Sequence, residues 1–427
     1  MVSAVLFICL VIFLILNVPV GIAIGLAALA AIIQGGTLSL GYVAQTLVTG
    51  TDSFVIMAIP LFILAGDLMG AGGVSKRILN VANVFFGRIT GGLAIVTVIV
   101  CMFFAAVSGS GPATVAAIGS MVIPTMLQNG YSKKFTLALI ATAGSIGVII
   151  PPSIPMVIYG VATGTSISSL FMAGFLPGML IGLALIVFSY LYCKKKGWKG
   201  EDEKFSWKRA RNVTWDAKWA LVNPLIILGG IYAGIFTPTE AAAVAAVYAF
   251  ICGVFIYKEL NFKRLMSTIV NSCSTTGTVM VILGCATAFT RILTLEQVPA
   301  TVADMIINLT DNRILILILI NVLLLLVGCV MDTTPAMMVL APILLPVAIS
   351  IGINPVHFGI IMVVNLAIGF ITPPLGINLF VAARVGEVSL ETVTKGIIPF
   401  ILIMAICLLL ITYIPQISMF VPNLLAN

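Results

Sequence analysis

Two short polar segments interrupt long apolar stretches of this sequence, and their residue types suit the binding of small ions. The first reads S-G-S-G-P-A-T over residues 108–114, and the second reads D-T-T-P over residues 332–335. Hydroxyls, a carboxylate and the carbonyls freed by a broken helix are oxygen ligands for an alkali cation. The helix N-terminus after such a break presents N–H groups and a positive dipole end to an anion. The pair therefore predicts a site for a cation and an anion.

Each polar segment is followed by a second break, a Pro-Pro pair at 151–152 in one case and at 373–374 in the other. Broken backbone inside a membrane is tolerated only where it is buried in protein or lines a cavity. The offset from Pro151 to Pro373 is within one position of the offset from Pro112 to Pro335. Matching breaks at a near-constant offset indicate an internal repeat.

The elements that must carry these breaks are membrane helices. The 427 residues are 61% hydrophobic and only 8% charged, with apolar runs of about 20 residues along the whole chain. We predict an all-α polytopic membrane protein and expect no enzyme, because no catalytic set of side chains accompanies the single histidine. The net charge of +7 is concentrated in short loops and indicates topology rather than nucleic-acid binding.

Charge distribution predicts how the two halves are oriented. The basic stretch 194–219 is assigned to the cytoplasm, and nearly all other basic residues then fall on the same side. The two polar segments become the tips of re-entrant hairpins that enter from opposite faces, and both termini lie on the side of the membrane opposite the cytoplasm. The predicted fold class is therefore one of inverted-topology repeats with two re-entrant helical hairpins and two broken transmembrane helices.

The predicted division has three parts. Residues 1–193 form the first repeat, with an interfacial arm helix, a hairpin at 90–128 and a broken helix at 135–163. Residues 194–219 form a basic amphipathic cytoplasmic loop that holds all four tryptophans and lies against the lipid headgroups. Residues 220–427 form the second repeat, with an arm helix at 295–312, a hairpin at 313–346 and a broken helix at 356–384.

Inverted repeats with discontinuous helices place substrate and ion sites near the bilayer midplane. The candidate ligands of a first alkali-cation site, acting mainly through carbonyls and hydroxyls, are Ser108, Ser110, Gly147, Ile150 and Pro152. The candidate ligands of its symmetry mate are Gly328, Asp332, Thr333, Gly369, Thr372 and Pro374. The candidate contacts of the anionic substrate are Ser110, Thr114, Pro151, Asp332, Thr334, Asn378 and Arg384. The alternative is that these glycines and prolines only kink buried helices.

Other polar residues in the apolar runs have ordinary structural explanations. Asp67 ends an apolar segment and is expected at the membrane interface, and Arg384 either snorkels to the cytoplasmic face or pairs with the substrate. Glu240, in T-P-T-E-A-A-A, is expected in the first turn of a helix, where the dipole favours a carboxylate. His357 is expected in a solvated loop.

The motifs together resemble those of one transporter family. They are S-G-S-G-P-A-T at 108–114, I-P-P-S-I-P at 150–155, F-T-P-T-E-A-A-A-V-A at 236–245, M-D-T-T-P at 331–335 and I-T-P-P-L-G-I-N-L-F-V at 371–381. Across nearly the whole chain they resemble the large membrane subunit (DctM or SiaM type) of the tripartite ATP-independent periplasmic (TRAP) transporters.

The resemblance implies more than the residues do. It implies an ion-transporter-superfamily fold with a scaffold and a moving transport domain, and sodium-coupled uptake of an organic anion by an elevator mechanism. It also implies two partners, a small four-helix membrane subunit and a periplasmic substrate-binding protein. Substrates of the family include C4-dicarboxylates and sialic acids, and the motifs do not select among them. Alternatives are a stand-alone dicarboxylate carrier of the same superfamily and, less favoured, a channel or membrane scaffold.

Overall fold

The structure, a computed structural model, describes residues 2–35, 39–200, 205–309 and 312–425. These residues fold as helices joined by short turns, and no strand occurs among them. The predicted all-helical fold is confirmed. Many side chains on the outer helix faces are apolar and exposed, such as Leu183, Val187 and Leu191 on one helix, as expected where helices face lipid.

The described part of the first half contains ten α-helices. They are α1 (Val2–Ile15), α2 (Val20–Gly35), α3 (Leu40–Thr49), α4 (Ala58–Ala71), α5 (Val74–Phe86), α6 (Gly92–Ser108), α7 (Gly111–Gln128), α8 (Lys133–Ser145), α9 (Ile154–Thr163) and α10 (Ile167–Lys196). α6 and α7 form the first hairpin, and α8 and α9 are the two parts of the first broken helix. α5 is amphipathic and is bent by 63° from α4, as an interfacial arm would be.

The described part of the second half contains α11 (Trp207–Tyr232), α12 (Pro238–Ile251), α13 (Phe262–Leu295), α14 (Val298–Leu309), α15 (Arg313–Gly328), α16 (Thr333–Ser350), α17 (Pro355–Gly369), α18 (Ile377–Val385), α19 (Leu390–Tyr413) and α20 (Gln416–Leu425). The helix order of the first half recurs here. α7 and α16 each have 18 residues, and the start of α16 follows the start of α7 by the same number of residues as the end of α16 follows the end of α7. The long α13 occupies the position of α3 and α4 together. The inverted orientation of the halves stays a prediction.

Several predicted boundaries differ from the structure. The hydrophilic stretch 194–219 is not a loop throughout, because α11 already begins at Trp207, where the Ser206 side chain accepts a hydrogen bond from the Arg209 N–H. Residues 201–204 of that stretch lie outside the described residues, as do 310–311 of the arm helix predicted at 295–312 and the last two residues of the chain. The second hairpin continues past its predicted end at Pro346, which α16 accommodates in its interior.

Helices of the first half pack on helices of the second half, and each pairing recurs between the equivalent helices of the opposite halves. α4 packs on α12 while α2 packs on α13, and α9 packs on α16 while α18 packs on α7. Five of the described helices are each long and apolar enough to cross a bilayer, or six spans if the bent pair α4 and α5 is counted as one. The hairpins and the broken helices thus meet in the centre of the bundle.

Candidate functional site

A cavity of about 360 Å³ lies where the two hairpin tips meet α4 and α13. Its polar and charged lining residues are Asp67, Ser108, Ser110, Thr275, Asp332, Thr333 and Thr334. Gly66, Pro112, Phe370 and Ile377 contribute to the apolar wall. The two segments that the sequence singled out, one in each half of the chain, therefore line one cavity.

The first tip is held by a compact set of hydrogen bonds. α6 ends at Ser108 and is capped by Gly109, whose φ of +60° is the left-handed conformation that glycine adopts at a helix C-terminus. Ser110 then caps α7 by accepting a hydrogen bond from the Ala113 N–H at 3.4 Å. The Thr114 hydroxyl donates to the Ser110 carbonyl at 2.8 Å and lies 3.1 Å from the Ser108 hydroxyl. Three hydroxyls thus gather at the tip.

The second tip is capped by a carboxylate. Asp332 is the N-cap of α16, and its Oδ1 accepts the backbone N–H of Thr333 at 2.7 Å. The Thr333 hydroxyl lies 3.4 Å from the same oxygen. Asp332 therefore brings a carboxyl group to the cavity wall while one of its oxygens remains engaged with the helix N-terminus.

The broken helices approach the tips through glycines. A Cβ on Gly147 would meet the Thr114 hydroxyl at 2.6 Å and the Ser110 carbonyl at 2.7 Å, so only glycine permits this contact. A Cβ on Gly328 would lie 3.3 Å from the Cα of Gly369, which shows that the second hairpin and its broken helix touch backbone to backbone. Each predicted tip is thus brought to its own Pro-Pro break.

The breaks themselves are not equivalent. Each contains a cis peptide bond between its two prolines, but Pro151 and Pro152 are buried whereas Pro373 and Pro374 are exposed. The carbonyl of Pro152 lies against Gly109 of the first tip, and the Gly109 carbonyl accepts the Ile154 N–H at 3.3 Å. In the second break, the Leu375 N–H donates to the Cys329 carbonyl at 3.1 Å.

Some predicted residues do not line the cavity. The side chain of Ile150 packs against Gly178 of α10, and the half-buried Thr372 donates its hydroxyl to the Ile368 carbonyl at 2.8 Å. Arg384 is exposed in the last turn of α18, away from the cavity lining.

Asn378 has a structural partner in the other half. It is fully buried on α18, and its amide nitrogen donates to the Ala141 carbonyl at 3.1 Å and to the Ser145 hydroxyl at 3.0 Å, both on α8. Its amide oxygen has no hydrogen-bond partner among the described residues. Asn378 therefore ties the second broken helix to the first.

Sequence reasoning missed the acidic residue of the opposite wall. Asp67, expected at the membrane interface, lines the cavity, and its Oδ2 accepts a hydrogen bond from the Ser272 hydroxyl of α13 at 2.6 Å. The signal was present, since an ionisable residue inside an apolar segment is a functional candidate by default. The neighbouring Gly66 brings this part of α4 against the first tip, since a Cβ on Gly66 would lie 2.9 Å from the Ser108 Cα.

Two further expectations have clear outcomes. Glu240 does lie in the first turn of α12, where it forms a capping box with Thr237. His357 is not in a solvated loop: it is buried beneath α20, with Nδ1 2.7 Å from the Ser418 hydroxyl and Nε2 3.3 Å from the Thr412 carbonyl. The terminal helix that covers it was not predicted.

The electrostatic character of the cavity is acidic. Asp67 and Asp332 both line it, and no lysine, arginine or histidine occurs among the described residues of its wall. Neither carboxylate forms an ion pair within the described part of the chain. Oxygen ligands and negative charge suit a cation, while an anion in the same cavity needs positive charge from elsewhere.

The fold is that of a polytopic helical membrane protein whose hairpins and broken helices surround one cavity. The chain superposes on the Alcanivorax borkumensis YdaH transporter with a TM-score of 0.59, covering 88% of each chain at 16% sequence identity. It also superposes on MtrF of Neisseria gonorrhoeae with a TM-score of 0.57, covering 87% of this chain and 83% of that one at 12% identity. At such low identity the likeness concerns the fold alone.

The sequence identifies the family. The family model "Tripartite ATP-independent periplasmic transporter, DctM component" matches residues 7–417, and the chain belongs to this family. The predicted kinship with the TRAP large permeases is thereby confirmed, and with it a multi-pass membrane protein of a bacterial permease family.

Three relatives show the range within the family. The isethionate TRAP transporter permease protein DctMQ of Oleidesulfovibrio alaskensis is 53% identical over 96% of this chain, which spans 64% of that protein's length. The C4-dicarboxylate TRAP transporter large permease protein DctM of Vibrio cholerae is 41% identical over 100% of this chain and 98% of its own. The sialic acid TRAP transporter large permease protein SiaM of Vibrio cholerae is 38% identical over 96% of this chain and 95% of its own length.

Proposed function

We propose that this chain is the large membrane subunit of a sodium-coupled secondary transporter that imports an organic acid anion. The observation that carries the proposal is the convergence of both hairpin tips on one cavity lined by hydroxyls and carboxylates. Discontinuous helices with free carbonyls and N-termini at the centre of a membrane protein are typical of substrate and ion sites in secondary transporters.

The charge of the cavity supports cation coupling. A cavity with two carboxylates and no basic side chain among its described lining residues repels an anion until cations neutralise it. Cations bound near Ser108 and Asp332 would supply that charge, so the anion and the cations would enter together. Sodium is proposed because hydroxyl and carbonyl oxygens at broken helices are its usual ligands in such folds.

We also propose an elevator movement. In this hypothesis the hairpins and broken helices form the transport domain, and α1–α5 with α11–α14 form the scaffold. The close contact between Gly66 of α4 and Ser108 of the first tip supports a sliding surface, because a Cβ on Gly66 would lie 2.9 Å from the Ser108 Cα. Small residues allow backbones to pass at such short distances.

The substrate is proposed from the relatives. The 53% identical protein is named for isethionate, and less similar ones are named for C4-dicarboxylates and sialic acid. Isethionate, a small hydroxylated sulfonate, is therefore the first compound to test, with C4-dicarboxylates and sialic acid next. A periplasmic binding protein would deliver the anion, and a small four-helix subunit would accompany this chain in the inner membrane, with the basic segment after α10 in the cytoplasm and both termini in the periplasm.

Reconstituted uptake tests the proposal. The chain, with its small subunit, is placed in liposomes, and uptake of radiolabelled substrate is measured with an inward gradient of sodium or of potassium, with and without the binding protein. We expect uptake only with sodium and the binding protein. Uptake in potassium would refute sodium coupling, whereas sodium-driven uptake without the binding protein would favour the stand-alone carrier.

A further inference from the structure

A second cavity lies between the arm helix α5 and the first three turns of α11, and it shares no described lining residue with the cavity at the hairpin tips. Its volume is about 660 Å³, and we call it the basic groove. The lining residues are Phe85, Trp207, Lys208, Ala210, Arg211, Thr214, Trp215 and Lys218. The transport proposal assigns no role to any of them.

The groove carries positive charge that no acidic side chain among its described lining residues neutralises. Three of its lining side chains, Lys208, Arg211 and Lys218, are cationic, and none is acidic. The acidic residue of this part of α11 is Asp216, which is engaged by Arg77 of α5 at 3.3 Å and does not line the groove. Arg77 is itself held by Glu259 at 2.7 Å. The salt bridges therefore fasten α5 to its neighbours and leave the cations of the groove available to a ligand.

The aromatic residues place the groove at the membrane surface. Trp207 is 78% exposed and Trp215 69% exposed, although both are large apolar side chains. Exposed tryptophans with neighbouring lysines and arginines are characteristic of the headgroup region of a bilayer. α11 continues from Ala220 as an apolar helix whose Leu225 is 69% exposed, which fits entry into the hydrocarbon core. The Nζ of Lys218 lies 3.6 Å from the centre of the Trp215 ring, so the cation and the indole form one surface.

We propose that the basic groove binds the headgroup of an anionic phospholipid. The phosphate would lie among Lys208, Arg211 and Lys218, and the indoles of Trp207 and Trp215 would flank the glycerol region. A soluble anion would use the cations but not the exposed indoles, and an apolar protein surface would use the indoles but not the cations. A lipid headgroup with its acyl chains uses both.

The tryptophans provide the test, because the chain contains only four of them, at 198, 207, 215 and 219. Trp198→Phe and Trp219→Phe leave the two groove tryptophans as the emitters. This protein is reconstituted both alone and with a small subunit whose own tryptophans are replaced by phenylalanine, in phosphatidylcholine vesicles that contain a fixed fraction of brominated lipid. The brominated lipid is either phosphatidylglycerol or phosphatidylcholine, and the quenching of emission is compared.

We expect brominated phosphatidylglycerol to quench preferentially. Each basic side chain near an anionic membrane surface favours anionic lipid by about fivefold. The selectivity should therefore exceed fivefold and decrease with added salt. Lys208→Gln/Arg211→Gln/Lys218→Gln should bring it close to one. The matched control, Lys133→Gln/Lys134→Gln/Lys195→Gln, removes the same charge from exposed positions elsewhere and should preserve the selectivity.

Three results would overturn the proposal. The first is equal quenching by the two lipids in the parent protein. The second is an equal loss of selectivity in the control triple variant, which would indicate a general surface-charge effect. The third is selectivity that is present for this chain alone and absent once the small subunit is bound, because the groove would then be a protein interface.

Discussion

Replacement of Asp332 by asparagine separates the two roles that this residue combines. Asp332 caps α16 through its bond to the Thr333 N–H, and its charge also faces the cavity. Asparagine caps helices as well as aspartate does, so Asp332→Asn should leave the hairpin folded. Asp332→Ala removes the charge and also the cap, at a cost of about 1 kcal/mol in the free energy of unfolding.

The size of the effect follows from the charge that is lost. A carboxylate about 4 Å from a cation, at an effective dielectric constant of about 20, contributes roughly 4 kcal/mol, or about a thousandfold in cation affinity. Water in the cavity and the remaining carboxylate of Asp67 reduce this value. We therefore expect the half-saturating sodium concentration for uptake to rise at least about tenfold.

The assay is uptake in proteoliposomes over a range of sodium concentrations, together with thermal unfolding in detergent. Asp52→Asn, at an exposed position outside the cavity, is the matched control and should change neither quantity. Unchanged sodium dependence in Asp332→Asn, combined with lowered thermal stability in Asp332→Ala, would show that Asp332 only caps the helix. The proposed role of its charge would then be wrong.

Three further predictions concern other parts of the site and its support. Ser272→Ala removes the donor to the Asp67 carboxylate, a charge-assisted bond worth about 1.5–3 kcal/mol, and should lower uptake about tenfold or more. Ser272→Thr keeps the hydroxyl and should restore uptake. Equal uptake by the parent protein and both variants would contradict this role. Gly66→Ala should disfavour this conformation by about 1–3 kcal/mol and slow uptake. Gly70→Ala, on the same helix, should have little effect because its Cβ would meet only the Phe104 ring, at 3.7 Å. Equal uptake rates in the two variants would refute the tight contact at Gly66. Thr237→Val breaks the capping box of α12 and should cost about 1 kcal/mol in thermal unfolding, with the sodium dependence of uptake unchanged.

Local chemistry explains why the hairpins could be predicted. Glycine, proline and small hydroxyl residues interrupt helices by themselves, so S-G-S-G-P and D-T-T-P mark breaks whatever surrounds them. The structure has tips at both places and pairs each with its Pro-Pro break. The short helices α3 and α20 were missed because neither contains an apolar run of membrane length.

The features that sequence reasoning missed depend on contacts between distant parts of the chain. Asp67 belongs to the cavity because α4 packs against the first tip at Gly66 and against Ser272 of α13, and the apolar run does not reveal these contacts with distant parts of the chain. Asn378 was a candidate substrate contact or a support for the hairpin, and its amide nitrogen donates to α8, a helix that belongs to the other half of the chain. Proline usually ends a helix, yet α16 continues past Pro346.

The bond from Asn378 to α8 has a consequence for cooperativity. Asn378 follows the second Pro-Pro break, and Ser145 closely precedes Gly147 of the first site. In the proposed mechanism, an ion that shifted either break would also move its partner across this buried bond, and each site would change the affinity of the other by the same factor. Positive coupling of this kind would give sodium a Hill coefficient above one, and Asn378→Ala would bring that coefficient toward one.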